Sequence, residues 1–288
     1  MGTRRLEPRG PWSTDAALAL LAAHTIQHAE TTVGRTHRRL LRLDGELVAV
    51  TLELHGAGGS QGWLEFRAPA DRLDQAEPVV RRWFELDVDQ AARKRRFAAD
   101  PVLGPLVARR PGIRVTGHTD GFEALLAIVV GQQISLAAAR TVTGRLVRHY
   151  GAPGPDGLWA FPRPEDLAGV DPEQLRADCG FMASRARTVL SVSRAVADWL
   201  DLTFGQPPGQ LARTAAQLLA LPGIGPWTVD FLRLRALGDP DSFPAGDLVL
   251  KKALGVTTDK AARQLAAAWA PERSFAALQL WTEAAYLA

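Results

Sequence analysis

Cysteine is almost absent: Cys179 stands alone in a chain of 288 residues. One thiol excludes an internal disulfide and fits a reducing compartment. It also excludes a four-cysteine iron–sulfur cluster. No apolar run approaches the roughly 20 residues of a membrane span, and the N-terminus lacks a signal peptide's apolar core and cleavage site. The expected location is the cytoplasm, which in a bacterium includes the nucleoid, with no membrane partner. Internal repeats, coiled-coil heptads and low-complexity tracts are missing too, which sets aside solenoids and fibres.

Charge of a single sign is lacking as well, since the net charge is only +3 and the hydrophobic content is an ordinary 47%. The length suits two domains or one large one with ample core. The basic residues nevertheless cluster, at Arg38-Arg39, Arg81-Arg82, Arg93-Lys94-Arg95-Arg96, Arg109-Arg110 and Lys251-Lys252, and the pI is about 9.4. A solvated surface explains any one cluster; several together favour a nucleic-acid partner if a phosphate-binding element accompanies them.

Such an element is present. Leu221-Pro222-Gly223-Ile224-Gly225-Pro226-Trp227-Thr228 separates two runs with helical spacing, Leu211, Ala215, Leu218 and Leu219 before it, Val229, Phe231, Leu232, Leu234 and Ala236 after it. Pro222 ends the first helix, Gly223 and Gly225 permit positive φ, and Pro226 suits the first turn of the second. A hairpin of this kind aims the free N–H groups of a helix start at one point, which suits a phosphate. A plain helix–helix turn would carry the same Pro-Gly-x-Gly. Twenty-two residues after Gly225 stands Asp247, just ahead of the apolar run Leu248-Val249-Leu250. Its place is that of an N-cap. The dipole of a helix start favours the charged form of a carboxylate, and that form can stabilise a sugar cation or orient a water.

The combination resembles the helix-hairpin-helix DNA glycosylase superfamily and, within it, the bacterial 3-methyladenine DNA glycosylase II family. Two further blocks carry the resemblance: Asp120-Gly121-Phe122-Glu123-Ala124-Leu125 through Gly131-Gln132-Gln133-Ile134-Ser135, and Leu280-Trp281-Thr282-Glu283. Together they cover most of residues 100–288 in the family's order, while the N-terminal third matches more loosely. The resemblance implies a monomeric, monofunctional glycosylase of double-stranded DNA containing damaged bases. It would flip alkylated, cationic purines such as 3-methyladenine and 7-methylguanine and excise them by hydrolysis.

Residue by residue, the same resemblance makes Asp247 the catalytic carboxylate and the N–H groups of Gly223, Gly225 and Thr228 the phosphate anchor. Main-chain carbonyls of Leu219, Leu221 and Ile224 would hold a structural cation. No cofactor is implied for the chemistry. The Gln132-Gln133 corner would plug the gap left by the flipped base; the family often has an apolar wedge where this chain has Gln133. Trp227 and Trp281 match aromatic positions of the base pocket, and indole faces attract cations. Phe231 stands where a tyrosine is common, and Leu20 and His24 where an aromatic and an arginine are, so the pocket is remodelled. Strand-cleaving relatives carry a lysine nucleophile at the position of Trp227. Tryptophan there implies water as the nucleophile and no strand cleavage. No general acid is evident, which favours lesions that are already cationic.

Residues 1–88 read as a small α+β domain. Residues 1–10 look like a mobile tail, and Ser13-Thr14-Asp15 caps a helix expected to run through about Thr32. From Thr36 the period becomes two. Asp44-Gly45 signals a hairpin between a strand ending at Leu43 and one from Leu47 to Leu54. A glycine-rich turn over 56–62 leads to a third strand, Trp63 to Arg67, and a helix from about Pro78 covers the sheet. Residues 89–288 read helical throughout. The longest helix, over 183–201, has a core stripe of Val189, Leu190, Val192, Val196, Trp199 and Leu200. The expected class is α+β: a small N-terminal antiparallel sheet with flanking helices, then an all-α helix-hairpin-helix glycosylase region whose two helical subdomains flank a cleft. Two other functions fit the sequence, a glycosylase for oxidised or deaminated bases and a non-catalytic damaged-DNA-binding protein. Asp247 argues against the second, because a carboxylate facing DNA repels phosphate.

Overall fold

A computed structural model of the chain describes residues 1–57 and 61–287; the tip of the glycine-rich turn, residues 58–60, lies outside them. The N-terminal layer is a five-stranded antiparallel sheet, in the spatial order β1 (Gly2–Leu6), β5 (Gln61–Ala68), β4 (Glu46–Ala57), β3 (Thr36–Leu43), β2 (Glu30–Val33). Helices α1 (Thr14–His24) and α2 (Leu73–Trp83) cover it. Alternating residues of the strands, among them Val48, Val50, Leu52, Leu54, Leu64 and Phe66, fill the core between sheet and helices.

Three expectations fail here, the first two because pairing across the sheet overrides local pattern and the third because the helix buries a face against the sheet. Residues 2–6 are a strand and not a mobile tail: Leu6 lies opposite Leu64, and β1 satisfies what would otherwise be an open sheet edge. The first helix stops at His24, well short of Thr32, because Thr31-Thr32-Val33 is β-branched and pairs with residues 36–38 of β3. The covering helix begins at Leu73 and keeps Pro78 inside it, with Ala76, Val79, Val80 and Trp83 buried along one face.

The remainder is helical apart from a short ribbon, β6 (Ala152–Pro153) with β7 (Trp159–Ala160). In order come α3 (Gln90–Phe97), α4 (Leu103–Arg109), α5 (Gly121–Gly131), α6 (Leu136–Tyr150), α7 (Pro164–Ala168), α8 (Pro172–Cys179) and α9 (Ala183–Asp198). Then follow α10 (Pro208–Leu219), α11 (Pro226–Leu232), α12 (Leu248–Ala253), α13 (Asp259–Ala266) and α14 (Arg273–Trp281). One apolar core joins α5, α6 and α8–α11; a second joins α1, α4 and α12–α14. Phe231 of α11 packs against both. Within the stripe expected of α9, Val189, Leu190, Val192 and Leu200 are buried, but Trp199 is 53% exposed, since the helix ends before it. No helix among the described residues is long and apolar enough to cross a membrane.

Many of the clustered basic residues are engaged in ion pairs that brace the fold. Arg39 pairs with Glu30 and Glu123, Arg93 with Glu85 and Glu272, Arg109 and Arg110 with Glu283, and Lys251 with Asp259. Clustering in sequence therefore overstates the free positive surface.

Candidate active site

The α10–α11 hairpin forms as its sequence dictates, with one difference. Gly223 has φ +83°, and a Cβ there would overlap the Thr188 hydroxyl, so only glycine fits. Gly225 does not take positive φ: at φ −107°, ψ 173° it is the extended N-cap of α11, as N-caps usually are. Open space surrounds the position its Cβ would take. Pro226 follows at the first helical position. The N–H groups of Gly223 and Gly225 donate to no acceptor among the described residues. That of Thr228, in the first turn of α11, has no intrahelical acceptor within reach. Thr228 itself is buried.

Asp247 caps α12, its Oδ1 accepting from the Leu250 N–H at 3.0 Å. Two indoles hold the same carboxylate: Trp281 Nε1 donates to Oδ1 at 3.0 Å and Trp227 Nε1 to Oδ2 at 3.3 Å. The residues singled out in three separate motifs thus meet on one carboxylate.

Behind the carboxylate opens a cleft of about 440 Å³. One wall is aromatic: Phe231 lies 5.3 Å from Trp227 and 5.2 Å from Trp281, ring centre to ring centre, all three tilted. Opposite chemistry comes from His24, His118, Arg235 and Tyr286. His24 Nε2 and the Tyr286 hydroxyl share a hydrogen bond of 3.0 Å. Burial, with Arg235 and Arg140 adding repulsion, pushes His24 down to about 3, and His118 is also held far below its ordinary value by burial. Both imidazoles are neutral at physiological pH. Leu20 does not reach the cleft. It turns into the core behind α1, and Ala23 and His24, one turn further along, line the cleft in its place.

Comparison with known proteins follows the same geometry. The family model described as "HhH-GPD superfamily base excision DNA repair protein" matches residues 126–269, half of the chain, and "AlkA N-terminal domain" matches residues 3–120. The chain belongs to the HhH-GPD superfamily. It is 36% identical over 288 residues to a Mycobacterium tuberculosis protein named "Probable bifunctional transcriptional activator/DNA repair enzyme AlkA". That match covers 96% of the chain and 56% of the relative, so the chain spans little more than half of that protein's length. It is 29% identical to Escherichia coli DNA-3-methyladenine glycosylase 2, over 98% of the chain and 96% of the relative. The 3-methyladenine DNA glycosylase of Archaeoglobus fulgidus shares the fold, at TM-score 0.80 and 19% identity, over 97% of this chain and 98% of that one. The Schizosaccharomyces pombe 3-methyladenine DNA glycosylase bound to abasic DNA aligns at TM-score 0.54 and 25% identity, over 66% and 95%.

In this HhH-GPD chain the corner between α5 and α6 divides its two glutamines. Gln132 points inward: its Nε2 donates to the Gly223 carbonyl at 3.1 Å and to the Thr228 hydroxyl at 3.0 Å, so it braces the hairpin and is not available as a wedge. Its own carbonyl accepts from the Arg185 guanidinium of α9. Gln133, at φ +58°, is exposed at the tip of the corner. Three polar lining residues escaped the sequence reading. Arg235 follows Trp227 and Phe231 at four-residue intervals, a legible signal; Tyr286 and His118 offered none. Arg235 and Tyr286 both sit in π turns that extend α11 and α14, at Arg233–Leu237 and Thr282–Tyr286. Such turns recur at functional sites.

Proposed function

We propose that the chain is a monofunctional DNA glycosylase that flips alkylated purines, such as 3-methyladenine and 7-methylguanine, out of double-stranded DNA and hydrolyses their glycosidic bond. The observation that carries this reading is the Asp247 carboxylate, gripped by two indole N–H groups at the mouth of an aromatic cleft. Names borne by similar proteins point the same way.

A fixed carboxylate beside the sugar stabilises the positive charge that grows at C1′ as the base departs, and needs no reorganisation to do so. Trp227, Phe231 and Trp281 offer the flipped base a stacking surface favourable to cations. Water completes the reaction. Trp227 is no nucleophile, and the amine on α12 nearest Asp247 in sequence, Lys251, is bonded to Asp259 at 3.0 Å. The N–H groups of Gly223, Gly225 and Thr228 take one phosphate, and Gln133 fills the space of the flipped base.

The carbonyls of Leu219 and Ile224 accept no hydrogen bond among the described residues, and that of Leu221 accepts one, from Ile224. Neutral oxygens with free lone pairs fit a hard cation, which would stiffen the hairpin and take no part in bond breaking. The test is incubation with duplexes that each carry one defined lesion, reading released base and alkali-labile sites. Failure to release any base removes the proposal.

A further inference from the structure

The deep wall of the cleft carries a charge that nothing in the fold neutralises. Arg235 is only 5% exposed, and its Nε and Nη1 have no hydrogen-bond partner. No carboxylate lies within ion-pair distance of it among the described residues, and it is the sole cationic side chain lining the cleft. Leaving a buried cation unpaired is among the most expensive things a fold can do, and core packing does not require it. Its polar surroundings are the Tyr286 hydroxyl, shared with His24, and His118, whose Nδ1 also lacks a partner. Both imidazoles are held neutral by burial, so neither offsets nor doubles the charge.

Position makes this charge face a flipped base. Trp227, Phe231 and Arg235 lie along one helix face, and a rise of ~1.5 Å per residue sets the Arg235 backbone roughly 12 Å deeper than Trp227. The guanidinium reaches back to 5.9 Å from the Phe231 ring centre. A purine whose sugar sits at Asp247 presents the edge remote from that sugar, with C6, to this wall.

We propose that Arg235 is the specificity-determining group of the pocket and that, between purines of equal charge, it prefers the one presenting a carbonyl oxygen at C6: hypoxanthine over unsubstituted purine, and 7-methylguanine over 3-methyladenine, which presents an amino group there. The inference rests on the glycosylase reading. A C6 oxygen accepts a charge-assisted bond from the guanidinium; an amino group sets N–H against N–H. For a neutral base the same contact aids departure. As the C1′–N9 bond breaks, both electrons leave on the base and the negative charge spreads to O6, beside Arg235. The oxygen of water bonds to C1′, and one of its protons ends on the released base. Guanine shares the oxygen but is held in its pair, whereas a lesion flips at lower cost.

Single-turnover excision separates the possibilities. The substrates are duplexes with hypoxanthine, with unsubstituted purine (hydrogen at C6), and methylated DNA scored for 3-methyladenine and 7-methylguanine. The parent should excise hypoxanthine faster than purine. Arg235→Met should lower the hypoxanthine-to-purine rate ratio by on the order of 10- to 100-fold, the usual effect of losing a hydrogen bond to a charged group. Arg235→Lys, a point charge in place of a planar fork, should fall between. Arg235→Met should melt at or above the parent's temperature, since an unpaired charge is removed; should it fail to fold, free hypoxanthine raising the parent's melting temperature more than free adenine supports the proposal, and the reverse order overturns it. An unshifted ratio, or a parent slower on hypoxanthine than on purine, also overturns the assignment of Arg235. A parent that excises nothing removes the glycosylase reading and this inference with it.

Discussion

Valine at position 225 and valine at position 223 should have opposite effects. Gly225 is extended, and a Cβ there meets nothing within 4 Å. Gly225→Val should therefore change stability by no more than about 0.5–1 kcal/mol, and in the stabilising direction if the loss of unfolded-chain freedom dominates. Gly223→Val forces a β-branched residue to φ +83° and drives its Cβ into Thr188. Left-handed backbone costs ~1–2 kcal/mol and overpacking ~1–3. In a chain of this size, with about 2–4 °C per kcal/mol, the melting temperature should drop by roughly 5–15 °C. Function should divide the other way. The new side chain at 225 occupies the open space through which a phosphate approaches, so Gly225→Val should lose one phosphate contact while staying folded. Anisotropy titrations with undamaged duplex at several salt concentrations measure this, since each contact contributes a slope of about −0.9 in log K against log salt. The variant's slope should be shallower by about that amount, with the preference among lesions unchanged. If Gly225→Val melts normally and binds with the parent's affinity and slope, the hairpin is not the anchor.

Asp247→Asn should lose at least about two orders of magnitude in excision, as other groups facing developing charge do, while binding to abasic-site DNA persists; retained excision refutes its role. Borohydride added during turnover should trap no protein–DNA adduct, and strands should break only after alkali; a trapped adduct would identify an amine nucleophile such as Lys251. His24 and His37, both held down to about 3 chiefly by burial, make stability pH-dependent. The unfolded chain binds these protons near 6.5, the folded chain only near 3, so the stability these rings contribute is lost as pH drops from about 6.5 toward 3, and His24→Asn should make the melting temperature fall less with acid than the parent's. Burial raises Glu123 to about 7, which offsets part of this fall over the same range, so the test is the difference between parent and variant: a His24→Asn curve as steep as the parent's contradicts the burial of that ring.

What local rules govern was legible in the sequence. Prolines and glycines place the hairpin, and a carboxylate before an apolar run places the cap at Asp247. Long-range pairing was not legible. Residues 2–6 and 30–33 become strands because of partners elsewhere in the sheet, and Arg93 meets Glu272 across 179 positions of sequence. Glycine conceals its own conformation, so Gly223 and Gly225 looked alike although only one is left-handed. Leu20 and His24 share a helix whose phase only packing sets. Gln132 looked like part of the wedge because nothing in sequence shows that a hairpin 91 residues away would claim its side chain. Arg235 was passed over for a related reason: arginine is expected outside, and only the folded cleft shows one buried without a counter-charge.

The bonds around Gln132 make a fixed gauge of this surface. Its side chain holds the Gly223 carbonyl and the Thr228 hydroxyl, and Arg185 holds its carbonyl from the other side. The tip at Gln133 is thereby tied to the hairpin through its neighbour. In the proposed glycosylase, the interval between the grip on the backbone and the probe in the stack belongs to the protein and is the same at every base pair it visits. Each pair receives the same push, and the pair that yields is the one already weakest.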